Sequence, residues 1–295
     1  MCPVFNDELL HNLTGDAEID DIVVLTNRHT KDLCDRLDAS GLTYRPIRES
    51  DFDPEGFKET VRGFTVLIRT NSIGLHGDPS ALKCMIEKQI GEMQPCIDVL
   101  GAYYCQCGND SWDVSEWCRS MGYRPAFTYR GDDGYVCQDC VGVAFGSNGR
   151  YMDIRARYGN VFYFIPAIAN RLEDFASSGA MGFTLENISE DLREQFGIRT
   201  DLDIIRWLVR KGGIEYSLKV DTGLTDSAEY DRMFLKRSEE LGLNPIRLDE
   251  GLVTLDAVDS LYENCKKALR TGLDGSSERT SRPEGTSVPD ALLVR

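Results

Sequence analysis

Short apolar runs alternate with segments of helical spacing along most of this chain. The run DIVVLT at 21–26 is bounded by polar residues, and it is followed by Leu33, Cys34 and Leu37 at the spacing of one helical face. Gly41 then stands where a helix C′ glycine is expected. Strand and helix alternation of this kind is typical of parallel sheets covered by helices. The pattern therefore predicts an α/β fold, Rossmann-like, with a mostly parallel sheet and helices on both faces.

The same reasoning predicts the remaining elements. Further strands are expected at 63–70, 97–104, 135–145, 160–167 and 214–223 and near the sequence NPIRL. Helices are expected at 29–41, 80–93, 111–122, 226–241 and 254–270, and over much of 168–212.

The chain has 295 residues, enough for one large domain or two smaller lobes. Residues 1–20 are polar and predict an irregular N-terminal arm. Residues 21–272 form the α/β domain, which could be divided into lobes at 21–150 and 151–272. The last segment, 273–295, is rich in Ser, Gly, Pro and charge, and it predicts a disordered tail.

The net charge of −16 argues against nucleic-acid binding, which requires a basic surface. It suits a well-solvated surface or a basic partner protein. No apolar run reaches the length of a membrane span, and the N-terminus lacks the features of a signal peptide. We expect a cytoplasmic protein that does not bind membranes and that could form a homo-oligomer.

Cysteine supplies the clearest chemical signal. The chain has ten cysteines, and in a cytoplasmic protein such a number suggests metal binding, redox chemistry or burial rather than disulfides. Cys105 and Cys107 follow the strand predicted at 97–104, and Cys137 and Cys140 form a second close pair further along the chain. If the two strands are neighbours, four thiolates would converge, as in tetrahedral zinc sites and iron–sulfur clusters.

Other interpretations of these cysteines stay open. The spacing is neither that of a zinc ribbon nor that of a ferredoxin, and buried reduced thiols would give the same pattern. The CQDC segment could also be a redox dithiol. Asp139, between the second pair, could add a carboxylate ligand.

Five further residues are candidates for binding. His76 lies in a loop after a predicted strand, where it could act as a mixed ligand. Asp221 ends another strand and could hold a ligand, although capping a turn is its more ordinary role. Gly146, Ser147 and Arg150 lie in a glycine-rich segment that could bind an anion or form a tight turn. The segment matches neither the dinucleotide nor the P-loop motif.

Taken in order, these segments resemble an uncharacterised domain-of-unknown-function family of methanogenic archaea and anaerobic bacteria, whose genes often lie beside those of corrinoid-dependent methyltransferases. In that family a Leu-His loop with a later proline precedes a helix, and a following strand ends in a Cys-Gly-Asn segment. An Asp-Cys pair, a Gly-Ser turn with Arg-Tyr, an aromatic strand ending in proline and an Asp-Thr-Gly-Leu segment come next. The matching segments here are GLHGDPSALK, GAYYCQCGN, QDCVGVAFGSNGRY, NVFYFIPA and VDTGLTD.

The resemblance covers roughly residues 20–270 and places Cys107 and Cys140 at the family's cysteine positions. Three departures accompany it. The family tends to have cysteine where this chain has Thr26, and histidine where it has Gln138, and Cys105 and Cys137 are additions. The resemblance implies a Rossmann-like fold and a role near methylamine or other methyl-transfer metabolism, without implying a reaction.

Three functional hypotheses follow. The first is a metal- or iron–sulfur-binding accessory, maturation or redox protein for corrinoid-dependent methyl transfer, with a corrinoid protein or methyltransferase as its partner. Its metal would be held by Cys105, Cys107, Cys137 and Cys140, with His76 nearby. The second is a zinc- or thiolate-dependent transferase in which Cys107 or Cys140 reacts and Asp221 holds substrate. The third is an acidic protein-binding module whose cysteines are merely buried.

Overall fold

The computed structural model describes residues 1–107, 112–178, 183–249 and 251–275, without the side chains of His76 and of residues 273–275. Its strands are β1 (Asp21–Thr26), β2 (Arg45–Arg48), β3 (Thr65–Arg69), β4 (Leu100–Ala102), β5 (Ala126–Thr128), β6 (Val161–Phe164), β7 (Tyr216–Lys219) and β8 (Asn244–Arg247). Its first helices are α1 (Asn6–Thr14), α2 (Lys31–Ala39), α3 (Pro54–Thr60), α4 (Pro79–Met93), α5 (Val114–Ser120), α6 (Cys140–Phe145) and α7 (Asn148–Tyr158). Those that follow are α8 (Pro166–Asn170), α9 (Leu172–Ser177), α10 (Glu190–Phe196), α11 (Asp201–Lys211), α12 (Ser227–Leu241) and α13 (Asp256–Gly275).

The named strands pair only in parallel, which confirms the predicted α/β class. Within the described residues they form three small sheets, in the orders β2-β1-β3, β4-β5 and β6-β7-β8. An antiparallel bridge between Arg130 and Val136 lies outside the named strands. No helix of the described chain is both long and apolar enough to cross a bilayer.

β1 is the centre of the first sheet, and its burial explains its sequence. Ile22, Val23, Val24 and Leu25 are all buried, because β2 and β3 cover its edges and helices cover its faces. The helix that follows, α2, buries Leu33 and Leu37 and ends before Gly41, whose φ of 73° confirms the predicted C′ position.

A β-α-β unit occurs twice in the fold, at the two ends of the chain. β1, α2 and β2 form the first copy, and β7, α12 and β8 form the second. In both copies the second strand has the sequence Pro-Ile-Arg and lies at the outer edge of its sheet, pairing in the same register with the first. The sequence analysis did not detect this repeat, because only the short strands share residues.

The N-terminal twenty residues are not an irregular arm, and this prediction was wrong. A 3₁₀ turn at Pro3–Phe5 leads into α1, and Val4, Phe5, Leu9 and Leu13 are all buried in the main core. Their spacing is that of one helical face, which the polar residues between them conceal.

A second correction concerns residues 135–145, which were predicted to be a strand. The structure has an irregular segment followed by the short helix α6, whose residues are buried on every side. An apolar run that is buried all round does not show the period of a helix or of a strand. The decisive signals are the caps, since Asp139 accepts a hydrogen bond from the Gly142 amide and Gly146 ends the helix with φ of 73°.

Two hydrophobic clusters form the interior. The larger one joins α1, the first two sheets, α6 and α13, and it includes Cys105 and Cys137. The smaller one contains Phe164, Phe234 and neighbouring residues around β6 and α12. At the C-terminal end, α13 extends to Gly275, three residues into the segment predicted to be disordered. The rest of that segment lies outside the described residues.

Candidate functional site

Two cysteines lie together just beyond the carboxyl end of β4. The Sγ atoms of Cys105 and Cys107 are 3.1 Å apart, and Cys105 is only 3% exposed. Two buried tyrosines fix the strand end that carries them. The Tyr103 hydroxyl donates to Asn12 Oδ1 at 2.8 Å, and the Tyr104 hydroxyl accepts a hydrogen bond from Asn71 Nδ2 at 2.9 Å.

Two further cysteines reach the same place from other segments. Cys140, the first residue of α6, interacts electrostatically with both Cys105 and Cys107. Cys2 is held beside β4 by its amide, which donates to the Tyr103 carbonyl at 3.1 Å, and its thiol interacts with those of Cys107 and Cys140. We call Cys2, Cys105, Cys107 and Cys140 the thiol cluster.

Burial controls the ionisation of this cluster. It raises the pKa of the Cys2 thiol to about 12, chiefly through desolvation. Desolvation also raises the pKa of Cys105 and Cys140 well above the usual value, and neighbouring thiols add to the effect. At neutral pH these three groups are therefore thiols rather than thiolates, and without a metal ion they are poor nucleophiles.

The backbone of Cys137 lies next to the segment that carries Cys105 and Cys107, but its thiol is surrounded by other groups. Its carbonyl accepts a hydrogen bond from the Gln106 amide at 3.0 Å, which joins the two cysteine segments. Burial is the main reason that the pKa of the Cys137 thiol is raised to about 12, and the charges of Asp133 and Asp139 raise it further. Of the four cysteines predicted as ligands, Cys105 and Cys107 are in direct contact and Cys140 interacts electrostatically with both, whereas Cys137 is not among their interacting thiols. Cys2, which was not predicted, interacts electrostatically with Cys107 and Cys140.

Two carboxyl groups accompany the thiols. Glu8 of α1 is 7% exposed, and its Oε2 atom is buried without a hydrogen-bond partner in the part of the chain that the structure describes. Burial raises the pKa of Glu8 to about 8, and its charge acts on Cys140. Asp139 also acts on Cys140, but its Oδ1 atom is engaged as the N-cap of α6, 2.7 Å from the Gly142 amide.

Among the described residues, no group of three or more Cys, His, Asp or Glu side chains is arranged to hold a metal ion. The Cys105–Cys107 distance illustrates the difference. Two thiolates on a tetrahedral zinc ion with Zn–S bonds of about 2.3 Å lie about 3.8 Å apart. The pair at 3.1 Å is therefore in direct contact, and binding one metal ion would require the two sulfur atoms to separate.

The glycine-rich segment predicted as an anion site has a structural role. Gly146 ends α6 in the left-handed conformation, and Ser147 caps α7 by accepting from the Arg150 amide at 3.3 Å. The Arg150 guanidinium is already paired with Asp132 at 2.8 Å and lies 4.0 Å from Asp256. Two nearby carboxylates disfavour the binding of a further anion here.

Asp221 is likewise engaged within the protein. It accepts from the Lys219 ammonium at 2.6 Å and from the Gly223 amide at 3.0 Å, which fits the capping role. Lys219 is 5% exposed at the end of β7, and it also pairs with Asp231 at 2.7 Å. His76 lies in the 3₁₀ turn Ile73–Gly77, and its side chain is outside the described part of the structure.

Sequence reasoning missed two residues of this site, Cys2 and Glu8. Both belong to the segment that was read as an arm. The helical spacing of Val4, Phe5, Leu9 and Leu13 was the available signal, because a buried helix at 6–14 would have placed its flanking residues against the core. Nothing in the cysteine spacing itself points to Cys2.

Fold and site together define a class: a parallel α/β protein with four interacting thiols, those of Cys2 and Cys105 buried and those of Cys107 and Cys140 half-buried, beside the carboxyl end of a short strand. Residues 71–258, more than half of the chain, match the family described as protein of unknown function (DUF1638), and the chain belongs to that family. No curated protein and no solved structure matches it.

Proposed function

We propose that this protein binds a soft metal ion or an iron–sulfur cluster through the thiol cluster and serves as an accessory, maturation or redox component of corrinoid-dependent methyl transfer. The observation that supports the proposal is the direct contact of Cys105 with Cys107 and the electrostatic interaction of this pair with Cys140 and Cys2, which come from two other segments of the chain. Four buried or half-buried thiols beside a strand end have the donor chemistry of zinc and iron–sulfur sites.

Four thiols are the number and type of donors that a zinc ion or an iron–sulfur cluster requires. To bind it, the Sγ atoms of Cys105 and Cys107 would have to move further apart than their present 3.1 Å. Cys105, Cys107, Cys140 and Cys2 would hold it. A bound metal ion would supply the positive charge that turns buried thiols into thiolates. Because burial holds the pKa of Cys2, Cys105 and Cys140 above neutrality, each of them that becomes a ligand releases a proton at pH 7.

The biological setting is the part of the proposal that rests on the family resemblance. A corrinoid protein or its methyltransferase is the proposed partner, and the net charge of −16 favours a partner with a basic face. Ten cysteines without a disulfide among them support a reducing, cytoplasmic setting.

The test is elemental analysis and visible absorption of protein purified without oxygen, with matched cysteine variants. Cys107→Ser and Cys140→Ser should lose the metal, and Cys2→Ser should lose most of it. Cys137→Ser and the exposed Cys84→Ser should keep the wild-type content. Iron with sulfide would indicate a cluster, and one zinc per chain would indicate a thiolate site.

Metal-free wild-type protein, or metal content unchanged in Cys107→Ser and Cys140→Ser, would refute the proposal. Metal loss in Cys107→Ser, Cys140→Ser and Cys137→Ser, with wild-type content in Cys2→Ser, would show that the fourth ligand is Cys137 rather than Cys2. Titration of metal into weakly buffered apoprotein gives an independent readout, because two or more protons should be released per ion.

One observation favours a second candidate, the acidic protein-binding module. In the described residues, no group of three or more Cys, His, Asp or Glu side chains is arranged to bind a metal ion, and cysteines with neutral thiols pack well in a hydrophobic core. This candidate predicts equal capture of a basic partner by wild type and by Cys107→Ser. The transferase alternative depends on the same metal as the first proposal, and it predicts that a methyl donor alkylates Cys107 or Cys140 only after metal loading.

A further inference from the structure

A polar cleft opens where the strand order of the first sheet reverses. From β1 the chain runs to β2 on one side and then crosses to β3 on the other. In open parallel sheets, ligands bind outside the carboxyl ends of the strands at such a reversal. Here the residues after β1 lead into a cleft of about 430 Å³, lined in part by Arg28, His29, Lys31, Ile73 and Arg171.

The loop that carries the first two of these residues is held by Asn27. Its Oδ1 atom accepts from the His29 amide at 2.8 Å, and its Nδ2 atom donates to the Thr70 carbonyl at 2.9 Å and to Glu49 at 2.7 Å. Asn27 thus ties the loop after β1 to the end of β3. A loop tied in this way presents its side chains in a fixed place before any ligand arrives.

Arg28 lacks the carboxylate partner that most cations of this acidic chain possess. Within the described structure its hydrogen bond runs from Nε to His29 Nε2 at 3.0 Å, and no carboxylate lies within ion-pair distance of its guanidinium. Because Arg28 can only donate, His29 Nε2 is an acceptor and the neutral ring carries its proton on Nδ1. Lys31, by contrast, is paired with Asp35 at 2.5 Å.

Arg171 comes to the same cleft from the segment between α8 and α9. Its Nε atom donates to Asp174 at 3.0 Å, while its buried Nη1 atom, 3.8 Å from Asp32, makes no hydrogen bond in the described structure. Burial lowers the pKa of His29, and the charges of Arg28 and Arg171 lower it further. The charges of both guanidinium groups therefore act on the same imidazole.

The carboxylates nearby are already engaged. Asp32 accepts from Asn6 at 2.7 Å and from Arg36 at 3.1 Å, and Asp174 accepts from Arg171. An arriving anion would therefore meet the guanidinium of Arg28, which has no carboxylate within ion-pair distance in the described structure, whereas the guanidinium of Arg171 is shared with Asp174 and Asp32 and adds only positive charge to the cleft. Charge-assisted bonds from arginine to an oxyanion are among the stronger polar contacts, and the flat guanidinium suits two oxygens at once.

We propose that this cleft binds the oxyanion of a small phosphorylated or carboxylated molecule, with Arg28 as its charged donor and Arg171 adding positive charge beside it. The site adjoins the thiol cluster, because Pro3 lines the cleft and the charge of Arg171 acts on Cys2. It is independent of the metal proposal, since none of its donors is a cysteine.

The test is calorimetric titration of chelator-treated full-length protein at low ionic strength with inorganic phosphate, pyrophosphate and citrate in turn. At least one probe should bind saturably, one molecule per chain. Arg28→Met and Arg171→Met should each weaken that binding at least tenfold. Arg157→Met, which removes an exposed arginine paired with Asp249 elsewhere, should leave it unchanged.

Because Arg28 is exposed, the Arg28→Met variant should fold normally. Its affinity for the anion therefore tests the proposal even if Arg171→Met does not fold. Wild-type affinity in Arg28→Met, or no saturable binding of any probe, would overturn the inference. Binding of phosphate and pyrophosphate alone would identify a phosphorylated ligand, and binding of citrate alone a carboxylated one. Cys107→Ser should bind the anion as the wild type does, which separates this result from that of the metal experiment.

Discussion

Glu8→Gln should make the protein more stable at neutral pH, although the substitution touches a buried residue of the core. Burial raises the pKa of Glu8 to about 8 from an ordinary 4.5, and the neighbouring Asp7 charge adds to the shift while Arg36 opposes it. The folded protein therefore keeps a proton that the unfolded chain releases above pH 4.5. The stabilising effect of the neutral carboxyl is complete below that pH and is lost as the pH rises towards 8.

The magnitude follows from the linkage between pKa and stability. Each pH unit in this window costs the wild type about 1.4 kcal/mol, so the accumulated loss is about 3 kcal/mol at pH 7 and about 4 kcal/mol at pH 8. Glutamine has nearly the same shape and stays neutral throughout. The difference in unfolding free energy between Glu8→Gln and wild type should therefore grow with pH by about this amount, on top of a constant offset for the changed hydrogen-bonding groups.

Urea unfolding of reduced, chelator-treated protein at pH 5, 6, 7 and 8 measures this difference. Asp7 also titrates in the wild type, but it is present in both proteins, so its direct effect cancels. Glu59→Gln, at an exposed helical glutamate, is the matched control and should show no such trend. Parallel stability curves for wild type and Glu8→Gln would refute the reasoning, since they would mean that Glu8 is ionised in the folded state at little cost.

Two further substitutions test packing and charge. Gly146→Ala should destabilise the protein by about 2 kcal/mol or more, because φ is positive and the new Cβ would lie 2.5 Å from Thr254 Cγ2. Gly197→Ala has a similar φ but open space around the new Cβ, so it should cost only the backbone strain of about 1 kcal/mol, and thermal and urea unfolding compare the two variants. Lys219→Met should cost about 2 kcal/mol, because it removes a buried ammonium that pairs with Asp221 and Asp231, of which Asp231 keeps its pairing with Arg247. The exposed Lys236→Met should cost under about 1 kcal/mol, and equal urea midpoints for the two variants would contradict this interpretation of Lys219.

The fold class was predictable because each strand and helix of a parallel α/β protein leaves its own local signal. β1 is buried on both faces, and its sequence is accordingly an unbroken apolar run. The sequence of α2 has apolar residues at helical spacing and a glycine at the C′ position. The division into three sheets was not predictable, since pairing between strands depends on contacts distant in sequence. α6 was misread as a strand because complete burial removes the period that separates the two.

The candidate site was predictable only in part, for a related reason. Cys107 follows a recognisable strand, but Cys140 was expected within a second strand and instead begins the helix α6, so its interaction with Cys107 was predicted from a strand that the structure does not contain. The direction in which a loop side chain points is set by tertiary contacts, and this explains why Cys137 faces a different environment from Cys105. Arg150 and Asp221 looked available in the sequence because their partners, Asp132 and Lys219, are identified only by the folded structure.

The repeated Pro-Ile-Arg strands have a consequence for how copies of this protein meet. Pro46 and Pro245 lie in β2 and β8, each at the outermost position of its sheet. Proline has no N–H to offer, so a strand from another molecule could not complete a ladder there, and the arginine two residues later adds charge to the same edge. The β2 and β8 edges are thereby made less favourable for edge-to-edge pairing with another copy of the chain.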